Sequence, residues 1–243
     1  MEGSPPYQSE TILPKGVIEF IFSFDDALVF RRNQLPTNRF TPRCFVNGIN
    51  DTPVELIIPS KQSFFGVEIH PVAIKKLLKI PGGSLLNHIT DLELINQDFT
   101  MLWHQMAEVK TFHERIKIMK QWINYKLDPV HDQERSIADF LNSPNEAISV
   151  SGLASRSCYS SRQLHRKSQE YFGMSTEALI SYKRYLHALH CVHHSNESLT
   201  RIAYECNYYD QAHFNREFKN YTGLPPNDYR ESKSMLPGHL YQY

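Results

Sequence analysis

The chain has 243 residues, of which 41% are apolar and 12% aromatic, so it can build hydrophobic cores and a wholly disordered chain is excluded. Its 26 Lys and Arg residues balance its 26 Asp and Glu residues. This balance excludes a histone-like basic tail and an acidic chaperone-like chain, although it permits a locally basic surface. No apolar run reaches the roughly 18–20 residues of a membrane span, and residues 1–14 lack the basic start and apolar block of a signal peptide.

The four cysteines, Cys44, Cys158, Cys191 and Cys206, lie far apart in the sequence and form no CxxC pair. We interpret them as reduced thiols rather than as disulfides or a zinc knuckle. The sequence therefore predicts a cytoplasmic protein that has no cofactor, no metal site and no membrane contact.

The first half of the chain shows strand patterns followed by helix patterns. Residues 17–24 alternate apolar and polar side chains, as a half-buried strand does. Further short strands are predicted at 43–46, 54–58 and 64–70. A short helix is predicted after Pro71, and two longer amphipathic helices are predicted at 99–106 and 112–127. The first half is therefore predicted to be a small sheet or barrel followed by helices.

Residues 128–134 are polar and include Pro129 but no periodic apolar residue, so we predict an interdomain linker at 128–133. Residues 1–127 then form a first domain. Residues 134–243 form a second domain, whose pattern predicts short helices joined by tight turns. The predicted fold class is α+β with two domains.

The second half contains an internal repeat at an offset of about fifty residues. Leu153-Ala154 recurs 49 positions later as Ile202-Ala203, whereas Leu164 and Arg166 recur 50 positions later as Phe214 and Arg216. The second turn is therefore predicted to be one residue longer than the first. Ser160 and Asp210 occupy equivalent helix N-cap positions. Each copy predicts a helix, a tight turn, a second helix and a closing glycine, which is a helix-turn-helix.

The second helix of each copy turns residue types that can read DNA bases outward. At 100° per residue, Leu164 and Phe214 mark the buried faces of the two helices. The outward faces carry Arg162, His165, Arg166 and Gln169 in the first copy, and Ala212, Asn215, Arg216 and Lys219 in the second. Arginine can bind guanine bidentately, asparagine or glutamine pairs with adenine, and alanine contacts a thymine methyl. A helix over 176–193 is predicted to brace the two copies.

A solvated surface is the other interpretation of an outward-facing basic helix, and for one copy alone both interpretations stay open. Two copies with matching caps, alanines, arginines and closing glycines favour DNA binding. The charge is modest, because residues 134–243 contain 12 basic and 11 acidic residues. Residues 156–184 hold six basic and two acidic residues, a net of +4. We therefore expect modest non-specific affinity for DNA, with a salt dependence set by few phosphates.

Residues 148–229 resemble the AraC/XylS family of bacterial transcription regulators. The most specific segment runs from Ile202-Ala203 to Lys219 and is followed by Gly223-Leu224-Pro225-Pro226. The resemblance implies two helix-turn-helix subdomains joined by a long helix, with recognition helices that enter successive major-groove segments of double-stranded DNA. The base-facing residues that it implies are Arg162, His165, Arg166, Gln211, Ala212, Asn215 and Arg216. The phosphate contacts are Ser160, Lys167 and Lys219.

Three positions depart from the family pattern. Cys158 and Asn207 stand where the family usually has a glycine in each turn. Cysteine adopts a left-handed backbone poorly, so we expect the first turn to be strained or differently shaped. Ser168 stands where the family usually buries an aromatic residue, whereas its counterpart is Phe218. A buried serine packs less and needs a partner, so the first module is expected to be less stable.

The N-terminal half, over residues 10–125, resembles the cupin-like sensor domain that some regulators of this family carry. The residues of the resemblance are Leu13-Pro14-Lys15-Gly16 and Phe65-Gly66-Val67-Glu68-Ile69-His70-Pro71. It implies a small β-barrel with trailing helices that binds a small-molecule effector, self-associates as a homodimer, or does both. The family resemblance as a whole implies a transcription regulator, more commonly an activator, that works with RNA polymerase.

A histidine cluster on the bracing helix suggests a metal site. His187, His190 and His194 lie on one flank, but Cys191 is predicted to point elsewhere, so no cysteine or carboxylate completes a ligand shell. A polar surface flank is the favoured interpretation.

A metal-dependent cupin enzyme is the alternative function. Glu68 and His70 alternate onto one side of a single strand, but no second His-x-His motif is present. We therefore expect these two residues to form local hydrogen bonds or to line an effector pocket, and no catalytic residue is predicted.

Overall fold

The structure is a computed structural model that describes residues 9–32, 35–59, 61–127, 137, 140 and 149–242. The predicted linker at 128–133 lies outside these residues. Within the described ranges, no helix combines the length and the hydrophobicity needed to cross a membrane.

The described strands form two antiparallel sheets. The strands are β1 (Ser9–Ile12), β2 (Ile18–Ser23), β3 (Val29–Arg32), β4 (Leu35–Phe40), β5 (Cys44–Asn47), β6 (Val54–Ile57), β7 (Phe64–Ile69), β8 (Ile89–Asp91) and β9 (His239–Gln242). The first sheet has the strand order β4-β3-β6-β1-β9, and the second has the order β7-β2-β5-β8. In the second sheet, Phe20 lies opposite Val46 on one side and Val67 on the other.

Helices cover the second sheet and bury the apolar side of β2. They are α1 (Pro71–Leu78), α2 (Leu92–Ile95), α3 (Asp98–Glu108) and α4 (Phe112–Lys126), with a 3-10 helix at Gly82–Leu85. Ile18, Phe20 and Phe22 are fully buried because every second residue of a strand points to the same face. The Phe20 ring meets the ring of Phe99 edge-on, with the centroids 5.7 Å apart.

The strand and helix patterns of the sequence are largely confirmed in this half. The predicted strands at 17–24, 43–46, 54–58 and 64–70 correspond to β2, β5, β6 and β7, and the three predicted helices correspond to α1, α3 and α4. The strands β1, β3, β4, β8 and β9 were not predicted. The α+β class with two domains is confirmed. The two open sheets are compatible with the predicted cupin-like domain.

The second half contains both predicted helix-turn-helix copies. Its helices are α5 (Val150–Arg156), α6 (Ser161–Phe172), α7 (Thr176–His194), α8 (Leu199–Glu205), α9 (Gln211–Thr222) and α10 (Pro226–Ser232). The first copy is α5–α6, the second is α8–α9, and α7 is the predicted bracing helix. The first turn occupies residues 157–160 and the second occupies 206–210, which confirms that the second turn is one residue longer.

The chain returns to its N-terminal sheet after α10. β9 pairs antiparallel with β1, so that Ser9 lies opposite Gln242 and Ile12 lies opposite His239. The N–H of Leu13 donates to the carbonyl of Gly238 at 2.8 Å, just before β9 begins. The predicted C-terminal domain is therefore helical over 150–232 and ends in a strand that extends the first sheet.

Helix α7 joins the two halves through buried tyrosines. The hydroxyl of Tyr182 accepts a hydrogen bond from the N–H of Gly16 and donates one to the carbonyl of Asn50, both at 2.9 Å. The hydroxyl of Tyr185 donates to the carbonyl of Pro14 at 3.2 Å. Both side chains are fully buried, so the hydrophobic core continues from one half into the other.

A second contact between the halves holds the C-terminal end of α6 against the 3-10 helix. A Cβ added at Gly83 would lie 2.1 Å from the carbonyl oxygen of Gln169, so only glycine permits this approach. Lys75 of α1 also forms an ion pair with Glu170 of α6. These contacts involve the last turns of α6 and leave its first turns exposed to solvent.

Candidate nucleic-acid interface

Helix α6 presents its predicted reading face to solvent. It begins at a capping box, in which Ser160 and Gln163 hydrogen-bond to each other's backbone N–H, and it ends at Gly173 with φ of 71°. Leu164 is buried, as the helical period predicts. The three predicted base-facing residues of this helix are all exposed: Arg162, His165 and Arg166.

Helix α9 has the same organisation with a more tightly packed core. The carboxylate of Asp210 caps it by accepting from the N–H of His213 at 2.7 Å. Phe214 and Phe218 are fully buried. Of the predicted reading residues, Ala212 and Arg216 are exposed, whereas Gln211 and Asn215 are half-buried. Gln211 also accepts a hydrogen bond from the hydroxyl of Thr200, at 2.7 Å.

The two turns share one backbone conformation. Cys158 has φ of 53° and Asn207 has φ of 60°, so both residues occupy the left-handed region. The residue after each of them closes its turn in the same way. The N–H of Tyr159 donates to the carbonyl of Ala154 at 3.0 Å, and the N–H of Tyr208 donates to the carbonyl of Ala203 at 2.9 Å. The first turn is therefore not differently shaped, and the cysteine carries the cost of the left-handed backbone.

The basic side chains on the reading faces are unpaired, whereas other basic residues nearby are neutralised. Arg201 lies between Glu197 and Glu205, at 3.1 and 2.9 Å, and Arg184 pairs with Glu217 at 2.5 Å. Within the part of the chain that the structure describes, four reading-face cations form no ion pair: Arg162, Arg166, Arg216 and Lys219. Unpaired, solvated cations are what a phosphate or a base edge can bind.

The three predicted phosphate contacts lie in different surroundings. Lys219 is exposed, and Ser160 is committed to its capping box. The ammonium of Lys167 donates to the carboxylate of Glu170 and to the hydroxyl of Tyr171, both at 3.1 Å. Although burial opposes its ionisation, hydrogen bonds from Lys75 and Lys167 keep the pKa of Glu170 below its usual value. Lys167 is therefore directed toward the contact between the two halves.

An exposed tyrosine beside α9 was missed at the sequence level. Tyr209 is 88% exposed and, with Asp210, Ala212, His213 and Arg216, it lines a surface depression of about 350 Å³. Its neighbour Tyr208 is buried. Two adjacent tyrosines stand directly before the cap of α9, and only one of two adjacent side chains can pack inward there. The Tyr208-Tyr209 pair could therefore have indicated that one tyrosine is exposed.

The N-terminal half contains a cavity of about 600 Å³ between its sheets and the C-terminal segment. The ammonium of Lys15 projects into a polar cluster, 2.8 Å from Glu19, 3.4 Å from the ring of His239 and 3.7 Å from Glu68. Burial opposes the ionisation of Glu19, but Lys15 and Asn47 outweigh it and lower the pKa of this carboxyl. The cavity wall thus includes a residue of β9.

The expected local hydrogen bond is confirmed for His70, whereas an effector pocket at Glu68 stays a prediction. Glu68 lines the cavity, whereas the Nδ1 atom of His70 accepts from the N–H of Val72 at 3.3 Å and caps α1. The His70 ring also lies edge-on to the ring of Phe172, at 6.5 Å between centroids.

The prediction for Cys191 is wrong. Its sulfur does not point away from the histidine flank but lies near His187 and Cys206, with all three potential ligand atoms within 4.8 Å of one another.

Comparisons with known proteins agree with the two-part architecture. The family described as a helix-turn-helix domain matches residues 153–232, and a domain of unknown function (DUF6597) matches residues 1–91. The transcriptional activator RhaS of Escherichia fergusonii is 32% identical over 88 residues, which cover 36% of this chain and 32% of that protein. RhaS of Citrobacter koseri is 31% identical over 91 residues, 37% of this chain and 33% of that protein.

The structural comparison extends over nearly the whole chain. ToxT of Vibrio cholerae O395 superposes with a TM-score of 0.51 over 95% of both chains, at 12% sequence identity, which shows a shared fold. The present chain spans about a third of the length of the curated RhaS relatives that it matches. The match of residues 153–232 to the helix-turn-helix domain family and the repeated helix-turn-helix of the structure together support the resemblance of the second half to AraC/XylS regulators.

Proposed function

We propose that this protein is a sequence-specific, DNA-binding transcription regulator that inserts α6 and α9 into adjacent major-groove segments. The observation that carries the proposal is the repeated reading face, in which unpaired cations stand on two equivalent helices while neighbouring arginines are neutralised. A merely solvated surface would not need the same unpaired arginine at equivalent positions, Arg166 and Arg216.

The residue types assign separate roles within each helix. Arg162, Arg166 and Arg216 are suited to guanine O6 and N7, and the exposed methyl of Ala212 is suited to a thymine methyl. Lys219 and the backbone at the capped start of α6 are suited to phosphates. Because few unpaired cations are available, non-specific affinity is expected to be modest.

Substitution of Arg216 tests the reading role. An operator is first obtained by selecting DNA fragments that bind the full chain. Arg216→Ala should then weaken binding to that operator by about 1–3 kcal/mol and leave binding to unrelated DNA nearly unchanged, because only the base contact is lost. Fluorescence anisotropy at several salt concentrations measures both quantities.

The matched control is Lys219→Ala, on the same helix. It should weaken operator and unrelated DNA alike and reduce the salt slope by about one, as the loss of one phosphate contact does. The base-reading role of Arg216 is wrong if its variant binds the operator as tightly as the wild type. The failure of selection to enrich any sequence would count against specific binding altogether.

We further propose that the N-terminal half controls DNA occupancy, either by binding a small polar effector or by forming a homodimer. The cavity supports an effector, because Lys15 and Glu19 offer both charges at its wall and β9 connects that wall to the helical half. An activator of this kind would act on RNA polymerase in the cytoplasm. The alternative, a metal-dependent cupin enzyme, has less support, because His70 caps a helix while Glu68 lines the cavity.

A further inference from the structure

Three side chains with metal-binding chemistry meet behind the second helix-turn-helix. His187 and Cys191 stand one turn apart on α7, and Cys206 stands at the C-terminal cap of α8. Their potential ligand atoms, one imidazole nitrogen and two sulfurs, all lie within 4.8 Å of one another. The two sulfurs are 4.0 Å apart.

We propose that His187, Cys191 and Cys206 form a binding site for one thiophilic cation, Zn²⁺ or Cu⁺. Thiolate and imidazole ligands favour both of these ions. In a tetrahedral zinc site with Zn–S bonds of about 2.3 Å, two sulfurs lie about 3.8 Å apart. The observed sulfur separation needs to change by only a few tenths of an ångström to meet this geometry, whereas a disulfide would require the sulfurs to approach to about 2.05 Å.

The fold holds the three ligands in place before any ion arrives. Residues four apart on a helix share a face, which keeps His187 beside Cys191. The N–H of Cys206 donates to the carbonyl of Ile202 at 2.9 Å, which closes the last turn of α8 and fixes the backbone of Cys206.

Burial leaves one side of the cluster open. Cys206 is buried, whereas His187 and Cys191 are each partly exposed. An ion can therefore enter from solvent and complete its coordination with water, as three-ligand zinc sites do. Because Cys206 directly precedes Asn207 in the second turn, the ion would link the bracing helix to the segment that orients α9.

Cobalt titration of the full chain tests the site, since Co²⁺ is a spectroscopic stand-in for Zn²⁺. The protein is reduced and freed of metal before titration. We expect one equivalent of Co²⁺ to produce visible bands of a tetrahedral site and near-ultraviolet thiolate-to-cobalt charge transfer. Zn²⁺ should bleach these bands stoichiometrically. A parallel competition with a Cu⁺-specific chelator shows which of the two ions binds more tightly.

Serine variants identify the ligands. Cys191→Ser and Cys206→Ser should each weaken Co²⁺ binding at least about tenfold and reduce the charge-transfer band. Cys158→Ser is the matched control, because Cys158 is exposed in the equivalent turn of the first copy and should bind as the wild type does. Circular dichroism checks that each variant is folded.

His187→Gln provides an independent arm in case a cysteine variant does not fold. It should retain the charge-transfer band and lose affinity. The proposal is overturned if the wild type binds no Co²⁺ at stoichiometric concentration or if its spectrum lacks the thiolate-to-cobalt charge-transfer band. It is also overturned if Cys158→Ser abolishes Co²⁺ binding and Cys206→Ser does not. None of these outcomes depends on whether the protein binds DNA.

Discussion

At the scale of single residues, the backbone of the first turn is more strained than that of the second. Cys158 occupies the left-handed region, where a residue with a Cβ pays about 1–2 kcal/mol, while asparagine offsets part of that cost by local hydrogen bonding. We expect Cys158→Gly to raise the free energy of unfolding by about 1 kcal/mol, because glycine adopts this conformation without steric cost. Urea unfolding followed by circular dichroism measures the change.

Asn207→Gly is the matched control for that prediction, since it makes the same change in the equivalent turn. It should yield a clearly smaller gain, because asparagine already tolerates the left-handed backbone. Equal increases in the free energy of unfolding of the two variants, or a decrease in Cys158→Gly, would show that Cys158 does not strain the first turn.

The sequence predicted which side chains face outward but not what some of them touch. The burial of Leu164 and the exposure of Arg166 follow from the helical period alone. Ser168 is fully buried as expected, and its hydroxyl has no hydrogen-bond partner among the described residues, which agrees with a less stable first module. The sequence did not show that Glu170, the partner of Lys167 on the same helix, also pairs with Lys75 of α1, because Lys75 lies far away in the sequence.

At the scale of elements, an ion pair attaches α9 to the bracing helix α7. The guanidinium of Arg184 on α7 binds the carboxylate of Glu217 on α9 through two hydrogen bonds, at 3.1 and 2.5 Å. Both side chains are mostly buried, and Arg184 also lies over the ring of Tyr208, 4.6 Å from its centroid. The pair therefore holds the face of α9 that lies opposite to the predicted reading residues.

We expect Glu217→Gln to lower the free energy of unfolding by about 1–3 kcal/mol, because it leaves a largely desolvated arginine without its counter-charge. Thermal unfolding measures the loss. Glu205→Gln is the control, since the Arg201–Glu205 pair is exposed on both sides and such pairs contribute at most about 1 kcal/mol. Comparable losses in the two variants would show that Glu217 does not fix α9.

Helices and strands could be predicted where their own residues show a clear apolar periodicity. Helix α7 was predicted within one residue, because a nineteen-residue amphipathic stripe with a serine cap is a strong local signal. β9 was missed because a four-residue strand has too little alternation to recognise, and its partner β1 lies at the other end of the chain. Pairing between distant short strands depends on the tertiary fold and cannot be read from either segment.

At the scale of the whole molecule, the hydrophobic core of the described residues continues from the first half of the chain into the second. An apolar stripe on α7 indicated that Tyr182 is buried, yet it could not indicate against what. The structure shows that its hydroxyl connects Gly16 and Asn50, which belong to the other half. This contact and the pairing of β9 with β1 join the cavity-bearing half to the helical half.

Tyr182→Phe tests this coupling. The substitution keeps the ring but leaves a buried N–H and a buried carbonyl without their partner, which costs about 1–3 kcal/mol. We expect the variant to have a lower melting temperature than the wild type. We also expect its unfolding transition in tryptophan fluorescence to occur at a different temperature from its transition in circular dichroism. Tryptophan fluorescence reports only the N-terminal half, because Trp103 and Trp122 lie in α3 and α4, whereas circular dichroism also reports the helices of the second half.

The wild type should show coincident transitions in both signals, because one continuous core unfolds cooperatively. Tyr209→Phe is the control, since Tyr209 is exposed and its hydroxyl is solvated, so that variant should behave as the wild type does. Suppose that Tyr182→Phe has the melting temperature of the wild type and that its two transitions still coincide. The hydrogen bonds of Tyr182 then do not couple the halves. The contact of α6 with the 3-10 helix and the pairing of β9 with β1 would then be further connections between the halves, and removal of residues 239–243 would test the second of them.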